Sequence, residues 1–331
     1  MAWDSPPFIT VCLPVRNEER YIKSTLMELL QQDYPSDRFE IIVADGNSSD
    51  QTAQIIKQLS EVYPNITLLP NPLQLSSAGR NVGFKNGKGD IFVIMDGHCW
   101  IGHRKLFANI ANCFKRTGAQ CLGRPQPLDP PDMTDFQQAV ALARASKVGH
   151  GGDSLIYSAY EGFVSPISHG AVYKREVIER VGYVDESFDA CEDVEFNYRV
   201  EKAGFKTYMS PSVAVKYYPR ESLAGLFRQV TRYGKGRFQL LKKHPQSFSL
   251  SGFAPVIFVI GLFSLPVLGL IDRAFWQIYG VACATYLLIV FLASTKISMR
   301  EGMRFLRYLP LIYFVIHFGL GWGFLLKLLK R

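Results

Sequence analysis

Phe39-Glu40-Ile41-Ile42-Val43-Ala44-Asp45-Gly46-Asn47-Ser48-Ser49-Asp50 decides how this chain folds. Its apolar, β-branched first half predicts a fully buried strand over Phe39–Ala44. The strand delivers Asp45 at its C-terminal end, and Ser49 or Asp50 then caps a helix through about Leu59. Upstream, Phe8–Leu13 repeats the buried-strand pattern and is closed by Pro14. Asn17 can cap the next helix, with Glu18 and Glu19 in its first turn and Ile22, Leu26, Leu29 and Leu30 along one face. Downstream, Ile66–Leu69 reads as a third strand, and Ser76–Asn86 as a helix that carries Arg80 and Asn81 and stops at Gly87-Lys88-Gly89. Asp90–Met95 is a fourth strand, which delivers Asp96. This alternation predicts an α/β fold, a doubly wound and mostly parallel sheet with right-handed crossovers. Open sheets of that kind place ligand-binding groups at the C-terminal ends of their strands, where Asp45 and Asp96 stand.

The chain beyond is less regular. Pro125, Pro127, Pro130 and Pro131 crowd one stretch, Gln137–Lys147 can form a helix, and Val148–Ile167 is rich in Gly, Ser and Tyr. A loop of that length inside a domain is usually functional or mobile. Lys174–Val181 and Glu192–Lys202 read as helices, with Thr207–Met209 a short strand. The 331 residues carry a net charge of +8, but the basic residues form no single stripe through the soluble part, so no nucleic-acid partner is expected. Six cysteines without a CxxC pair predict reduced, mostly buried thiols. The opening Met1-Ala2-Trp3-Asp4-Ser5-Pro6-Pro7 lacks the basic and apolar regions of a signal peptide, which predicts a domain that begins in the cytoplasm.

Past Ser247 the composition changes, which predicts a soluble domain over 1–247 and a membrane domain over 248–331. Three apolar runs, 252–271, 275–295 and 308–326, are each long enough to cross a hydrocarbon core of about 30 Å as a helix. Lys296, Arg300, Arg304 and Arg307 between the second and third place that linker in the cytoplasm. A third full crossing is expected, although it would carry Lys327, Lys330 and Arg331 to the far side; a re-entrant or interfacial helix is the alternative. Arg228, Arg232, Lys235, Arg237, Lys242 and Lys243 precede the first run and suit an anionic leaflet.

Chemistry is carried by Asp45, by Asp96-Gly97-His98, by Glu192-Asp193 and by Gln229-Val230-Thr231-Arg232-Tyr233-Gly234-Lys235-Gly236-Arg237. Carboxylates at strand ends can hold a divalent cation together with a nucleotide diphosphate, and a further one can take a proton. With Leu13-Pro14-Val15-Arg16-Asn17-Glu18, Ala78-Gly79-Arg80-Asn81-Val82-Gly83 and the run Asp189 to Arg199, these motifs give the chain a resemblance from about Phe8 to Arg237. It resembles the family 2 glycosyltransferases of the GT-A fold, and within them a membrane-tailed subgroup of succinoglycan-type exopolysaccharide glucosyltransferases.

The resemblance implies roles residue by residue. Asp45 belongs to the nucleotide pocket, with Ala44 standing where the family usually has a first Asp and Asn17 as a neighbour that can help. Asp96 and His98 occupy the place of the metal-binding Asp-x-Asp, so Mn²⁺ or Mg²⁺ is expected, with imidazole leaning the site towards Mn²⁺. Asp193 is the expected general base and Glu192 its partner, which predicts inversion at the anomeric carbon. Gln229, Arg232 and Tyr233 match a Gln-x-x-Arg-Trp pattern with Tyr for Trp: at i, i+3 and i+4 they share a helix face, Arg232 for the diphosphate and the aromatic for the acceptor sugar. Lys235 and Arg237 would sit on a mobile basic lid, Arg80 and Arg16 would assist with donor phosphate, and His169 would line the acceptor side. The implied activity is transfer of a sugar from a nucleotide-diphosphate donor, a UDP-sugar favoured, to a glycan or lipid-linked glycan. The implied place is the cytoplasmic face of a cell membrane, in a multi-pass protein that contacts membrane lipids. A polyprenyl-phosphate sugar synthase and a non-catalytic sugar-nucleotide sensor or scaffold are the alternatives.

Overall fold

The computed structural model describes residues 5–150, 155–167 and 169–330. In chain order they form β1 (Ile9–Val15), α1 (Ile22–Leu30), β2 (Phe39–Asp45), α2 (Thr52–Val62), β3 (Ile66–Pro70), α3 (Ser76–Asn86) and β4 (Ile91–Ile94). There follow β5 (Cys99–Trp100), α4 (Leu106–Thr117), β6 (Cys121–Gly123), α5 (Asp135–Ala145), α6 (Lys147–His150), β7 (Gly162–Val164), β8 (Gly170–Lys174), α7 (Arg175–Val181) and α8 (Glu192–Lys202). Last come β9 (Thr207–Met209), β10 (Lys216–Tyr217), α9 (Leu223–Lys243), α10 (Leu250–Leu268), α11 (Arg273–Glu301) and α12 (Leu309–Leu329).

Two units result. The first comprises the chain up to Pro130 together with Leu155–Tyr218; the second comprises Pro131–Ser154 and Pro219–Arg331. The change expected near residue 247 therefore falls inside the second unit, because α9 packs along α12 with its apolar face.

In the first unit the sheet runs β3-β2-β1-β4-β8-β6-β9-β7. The first four strands are parallel, as expected, and their side chains (Ile9, Val11, Leu13, Ile41, Val43, Ile91, Val93) are wholly buried. The remainder is mixed. β8 lies antiparallel between β4 and β6, β9 is parallel to β6, and β7 closes the edge antiparallel to β9. A separate antiparallel ladder joins β5 to β10 and fixes the segment just after Asp96. Helix α3 lies flat on β1 because it presents Gly79 and Gly83: a Cβ at Gly79 would stand 2.6 Å from Pro14 Cβ, and one at Gly83 would enter Cys12.

Helix starts deviate from the expected caps. Helix α1 opens at Ile22, not after Asn17, which takes a left-handed φ of 57° and bonds elsewhere. Asp50 satisfies the first turn of α2 by accepting from the Thr52 N–H at 3.0 Å. The helix expected from Gln137 starts two residues earlier, at Asp135, because Thr134 and Gln137 form a capping box.

In the second unit, α11 and α12 are long and apolar enough to cross a membrane, and α10 is a shorter apolar helix. α9 and α12 meet through glycines: a Cβ at Gly234 would strike the Leu320 carbonyl, and one at Gly323 the Thr231 carbonyl. Polar links complete the packing, from Ser146 Oγ to Tyr313 OH at 2.8 Å and from His317 to Tyr286 OH at 3.0 Å and the Val148 carbonyl at 2.8 Å. Arg304 and Arg307, in the turn before α12, pair with Asp135 at 3.4 and 3.3 Å.

Gly83→Ala should lower the stability of the full-length protein by about 1–3 kcal/mol through overpacking against Cys12, seen as a lower melting temperature in detergent. Gly280→Ala, where a Cβ meets nothing within 4 Å, should leave that temperature unchanged or slightly raised.

Candidate active site

The loops after β1 and β2 are fastened into one ridge at the C-terminal edge of the sheet. Asp45 accepts from both the N–H and the hydroxyl of Ser48, at 3.2 and 2.5 Å, and so shapes its own turn. Asn17 Oδ1 accepts the Ser49 N–H at 2.8 Å while its own N–H donates to Ser48 Oγ at 3.0 Å. Glu18 and Glu19 donate backbone N–H groups to Thr52 Oγ1 and Asp50 Oδ2. Asp45 stays half-buried, and Arg16 is exposed beside this ridge. Ala44 is fully buried inside β2, so no side chain at 44 reaches the ridge.

Arg80 is the electrostatic centre. Helix α3 holds it 3.1 Å from Glu192 at the start of α8, with the two side chains only 13% and 8% exposed. Burial alone would pull the Arg80 pKa down, but Glu192, Asp193 and Asp96 together drive it above its ordinary value, so the guanidinium stays charged. Burial, helped by neighbouring Asp193 and opposed by Arg80, raises the pKa of Glu192. The adjacent acids thus repel as expected, but burial is the larger cause. Asp193 is exposed, accepts the Val194 N–H at 2.8 Å, and sits in the first turn of α8 where the helix dipole favours an anion. Cys191 before it is strained into a left-handed φ of 62°. Helix α3 is tied to the approach segment by Ser77 Oγ, which donates to the Phe188 carbonyl, and by Asn81, which bonds both backbone groups of Val184.

At the end of β4, Asp96 is half-buried. His98 does not simply stand in for the family's second carboxylate: its Nδ1 lies 2.9 Å from Glu18 Oε1 on the first ridge loop. Among the described residues no three His, Cys, Asp or Glu side chains gather into a ready-made metal cage. The donors therefore fit a hard cation only when a bound diphosphate supplies most of its oxygens, Asp96 being the protein's own anionic ligand.

A family model described as glycosyltransferase-like family 2 matches residues 6–236, the larger part of the chain. The chain belongs to that family. The succinoglycan biosynthesis protein ExoA of Rhizobium meliloti is 31% identical over 236 residues, covering 71% of this chain and 70% of that protein. A dolichyl N-acetyl-α-D-glucosaminyl phosphate 3-β-D-2,3-diacetamido-2,3-dideoxy-β-D-glucuronosyltransferase of Methanococcus voltae is 27% identical over 98% of both chains. Among solved structures, the mannosyltransferase PcManGT from Pyrobaculum calidifontis, in complex with GDP-Man and Mn²⁺, superposes with a TM-score of 0.62 at 18% identity over 99% of this chain and 89% of that one. The fold is accordingly GT-A, with a parallel-dominated central sheet.

Two residues of this family 2 glycosyltransferase change standing once its site is seen. His169 has both ring nitrogens engaged: Nε2 accepts the Leu155 N–H at 3.1 Å and Nδ1 faces the Ser165 carbonyl at 3.2 Å. It ties two loop segments together as a neutral imidazole, its pKa lowered by burial. Arg124, which sequence reasoning passed over, follows β6 and is 1% exposed. Its Nη2 donates to Tyr217 OH at 2.6 Å, whereas Nε and Nη1 are buried with no hydrogen-bond partner among the described residues, as is Arg80 Nε. Burial first, with Cys99 and Asp96 adding and Arg124 opposing, raises the Tyr217 pKa, which places Asp96 within the field of the same group as Arg124.

The second unit carries the late motif on α9. Gln229 Nε2 and Tyr233 OH bond at 3.2 Å, confirming their shared helix face, while Arg232 and Arg237 are exposed and Lys235 half-buried. Residues 229–237 are continuous helix, so the glycines at 234 and 236 serve close packing and the expected mobile basic lid is not seen.

Arg80→Met strands Glu192 in a buried site and should destabilise the protein by about 3–5 kcal/mol, with much of the loss recovered in Arg80→Met/Glu192→Leu; equal losses in both would show that the pair does not matter. His169 has a depressed folded pKa, so its stabilising contribution is complete above the ordinary value of 6.5 and is lost as pH falls through 6.5 and then through the folded value. Melting temperature should therefore drop on acidification more in the parent than in His169→Gln.

Proposed function

We propose that this family 2 glycosyltransferase is a membrane-anchored, inverting enzyme that moves a sugar from a nucleotide diphosphate, with a UDP-sugar favoured, to a glycan or lipid-linked glycan. The reading is carried by one observation: Arg80 lies 3.1 Å from Glu192, and Asp96, Glu192 and Asp193, from motifs about a hundred residues apart, all act on this one largely buried cation. Two guanidinium groups, Arg80 and Arg124, retain N–H groups without partners among the described residues. Such a site has donor capacity to spare for an oxyanion, which the diphosphate of a donor would supply.

In this reading Asp193 takes the proton from the acceptor hydroxyl as that oxygen attacks the anomeric carbon from the face opposite the departing diphosphate. Exposure keeps Asp193 reachable, and Glu192, locked to Arg80, fixes the turn that presents it. The carbon inverts because the attack is a single in-line displacement. Arg80 holds negative charge near the leaving side. Asp96, with His98 steadied by Glu18, would hold a divalent cation, Mn²⁺ or Mg²⁺, which when bound supplies neutralisation of the diphosphate. Asp45 and Asn17 shape the ridge where a base or ribose would rest, with Arg16 exposed beside it. Gln229, Arg232 and Tyr233 are proposed from the family pattern as diphosphate and acceptor contacts. The relatives, a succinoglycan biosynthesis protein and a transferase acting on a dolichyl phosphate-linked sugar, support surface glycan synthesis and a lipid-linked acceptor. The apolar helices support an anchor that keeps catalysis at the cytoplasmic face.

The test is transfer by purified protein in native lipid across UDP-, GDP- and TDP-sugars, with and without Mn²⁺. Asp193→Asn should lower kcat by about a thousand-fold while donor affinity is kept, and NMR of the product should show the inverted anomer. Retained turnover in that variant removes Asp193 from the base role. Asp96→Asn should weaken donor binding only when Mn²⁺ is present. Transfer to a polyprenyl phosphate in place of a sugar hydroxyl would favour the synthase reading.

A further inference from the structure

We infer that the third apolar helix, α12, does not cross the membrane but lies in the cytoplasmic half of the bilayer, so that the chain has two crossings and its C-terminus returns to the side from which α10 departs. This rests on the proposal that the α10–α11 hairpin is a membrane anchor. By length and composition α11 and α12 look alike. Their surroundings differ. α11 turns Val281, Leu287, Phe291 and Leu292 outward, each more than half exposed, as a lipid-facing helix does. α12 has a packed face, on which Ile312 and Tyr313 are wholly buried and Ile316 and Phe324 nearly so, while Leu311 and Phe314 stay exposed.

The elements that pack on α12 meet it with apolar side chains but carry cations on their far faces. One side is α9, seated at Gly319, Leu320, Gly323 and Phe324 through Val230, Thr231 and Gly234. α9 carries Arg228, Arg232 and Arg237 exposed on its other face. The midpoint of α12, at His317, receives the Val148 carbonyl of α6, in a stretch that includes Arg144 and Lys147. Were α12 to span, those cations would be held at the centre of the hydrocarbon, where arginine is strongly disfavoured. At the depth of the headgroups and upper acyl chains they meet no such obstacle.

Where α12 touches the hairpin agrees. On α10 its ring and glycine contacts run from Phe253 through Pro255, Phe258 and Val259 to Phe263. On α11 they begin at Tyr286, which meets His317, and the buried positions Val290, Ser294 and Ser298 continue towards the end of the helix. On α11 these positions thus fall in the half nearer Glu301, whereas on α10 they extend from Phe253 to Phe263. The first 13 residues of α11, Arg273–Thr285, reach about 20 Å further. Charge closes the argument: Lys296, Arg300, Arg304, Arg307, Lys327 and Lys330 all fall on one side, whereas a spanning α12 would put the last two across.

The test uses single cysteines in the full-length chain, on a Cys283→Ala background, with a membrane-impermeant maleimide. Leu270 and Leu329 are 81% and 80% exposed, so cysteine is tolerated at either. Leu270→Cys should label in intact spheroplasts, and Leu329→Cys only in inside-out vesicles, each at least ten-fold above the parent background. Labelling of Leu329→Cys from outside, with Leu270→Cys also labelled there, overturns the placement of α12 and leaves the anchor intact. Failure of Leu270→Cys to label from outside, with labelling from inside, shows that the hairpin does not cross and removes the anchor itself.

Discussion

The buried pair between Arg80 and Glu192 is the interaction on which the first unit's site depends. Neither charge could be held so far from water without the other, because the desolvation of each is offset only by the attraction between them. The pair locks α3 to α8, elements that are 100 residues apart in sequence, and it does so where the sheet's parallel half meets its mixed half. Everything around it reinforces one geometry: the glycines that seat α3 on β1, the Ser77 and Asn81 bonds to the segment leading into α8, and the strained Cys191 that turns the chain into the helix. Asp193 is left as the acid that is both held and reachable. Its neighbour is spent on structure, and the division of labour between two adjacent carboxylates follows from which one the sheet buries.

Much of this was legible in the sequence. Buried parallel strands are continuous apolar runs, so β1 to β4 and the acids at their ends stood out, as did α3 and α8, whose bounds agree with the pattern to the residue. Of the mixed half only β9 was read, with its observed bounds; β6 and β7 are three residues each and too short to show a period. Asn17 was misjudged as a cap since an Asn before two glutamates satisfies the local rule. The partner that claims it, Ser49, lies on another loop and is visible only in three dimensions. The partners of His98 and His169 were hidden for the same reason: their hydrogen bonds go to Glu18, Leu155 and Ser165, and spacing says nothing of such contacts. Arg124 was silent because a lone basic residue in a proline-rich stretch looks like surface until its burial is known.

The second unit shows how one helix can serve two media. α9 gives its small and apolar residues, Leu226, Val230, Gly234 and Leu240, to packing and its arginines to water. Glycines facing carbonyls bring α9 and α12 closer than ordinary side chains would permit, so their association depends on van der Waals contact, which persists where the hydrophobic effect is weak. The same residues that give α9 its family motif therefore sit on a helix whose inclination is set by an apolar neighbour.

The short ladder between β5 and β10 has a consequence in time. Four parallel strands can pair once the chain has reached Ile94, yet the segment that follows Asp96 is clamped only by Lys216 and Tyr217, and Arg80 gains its counter-charge only with Glu192. A nascent chain thus owns a sheet long before it owns a site. The Arg80–Glu192 pair and the β5–β10 ladder are assembled last, within a few dozen residues of the first apolar helix.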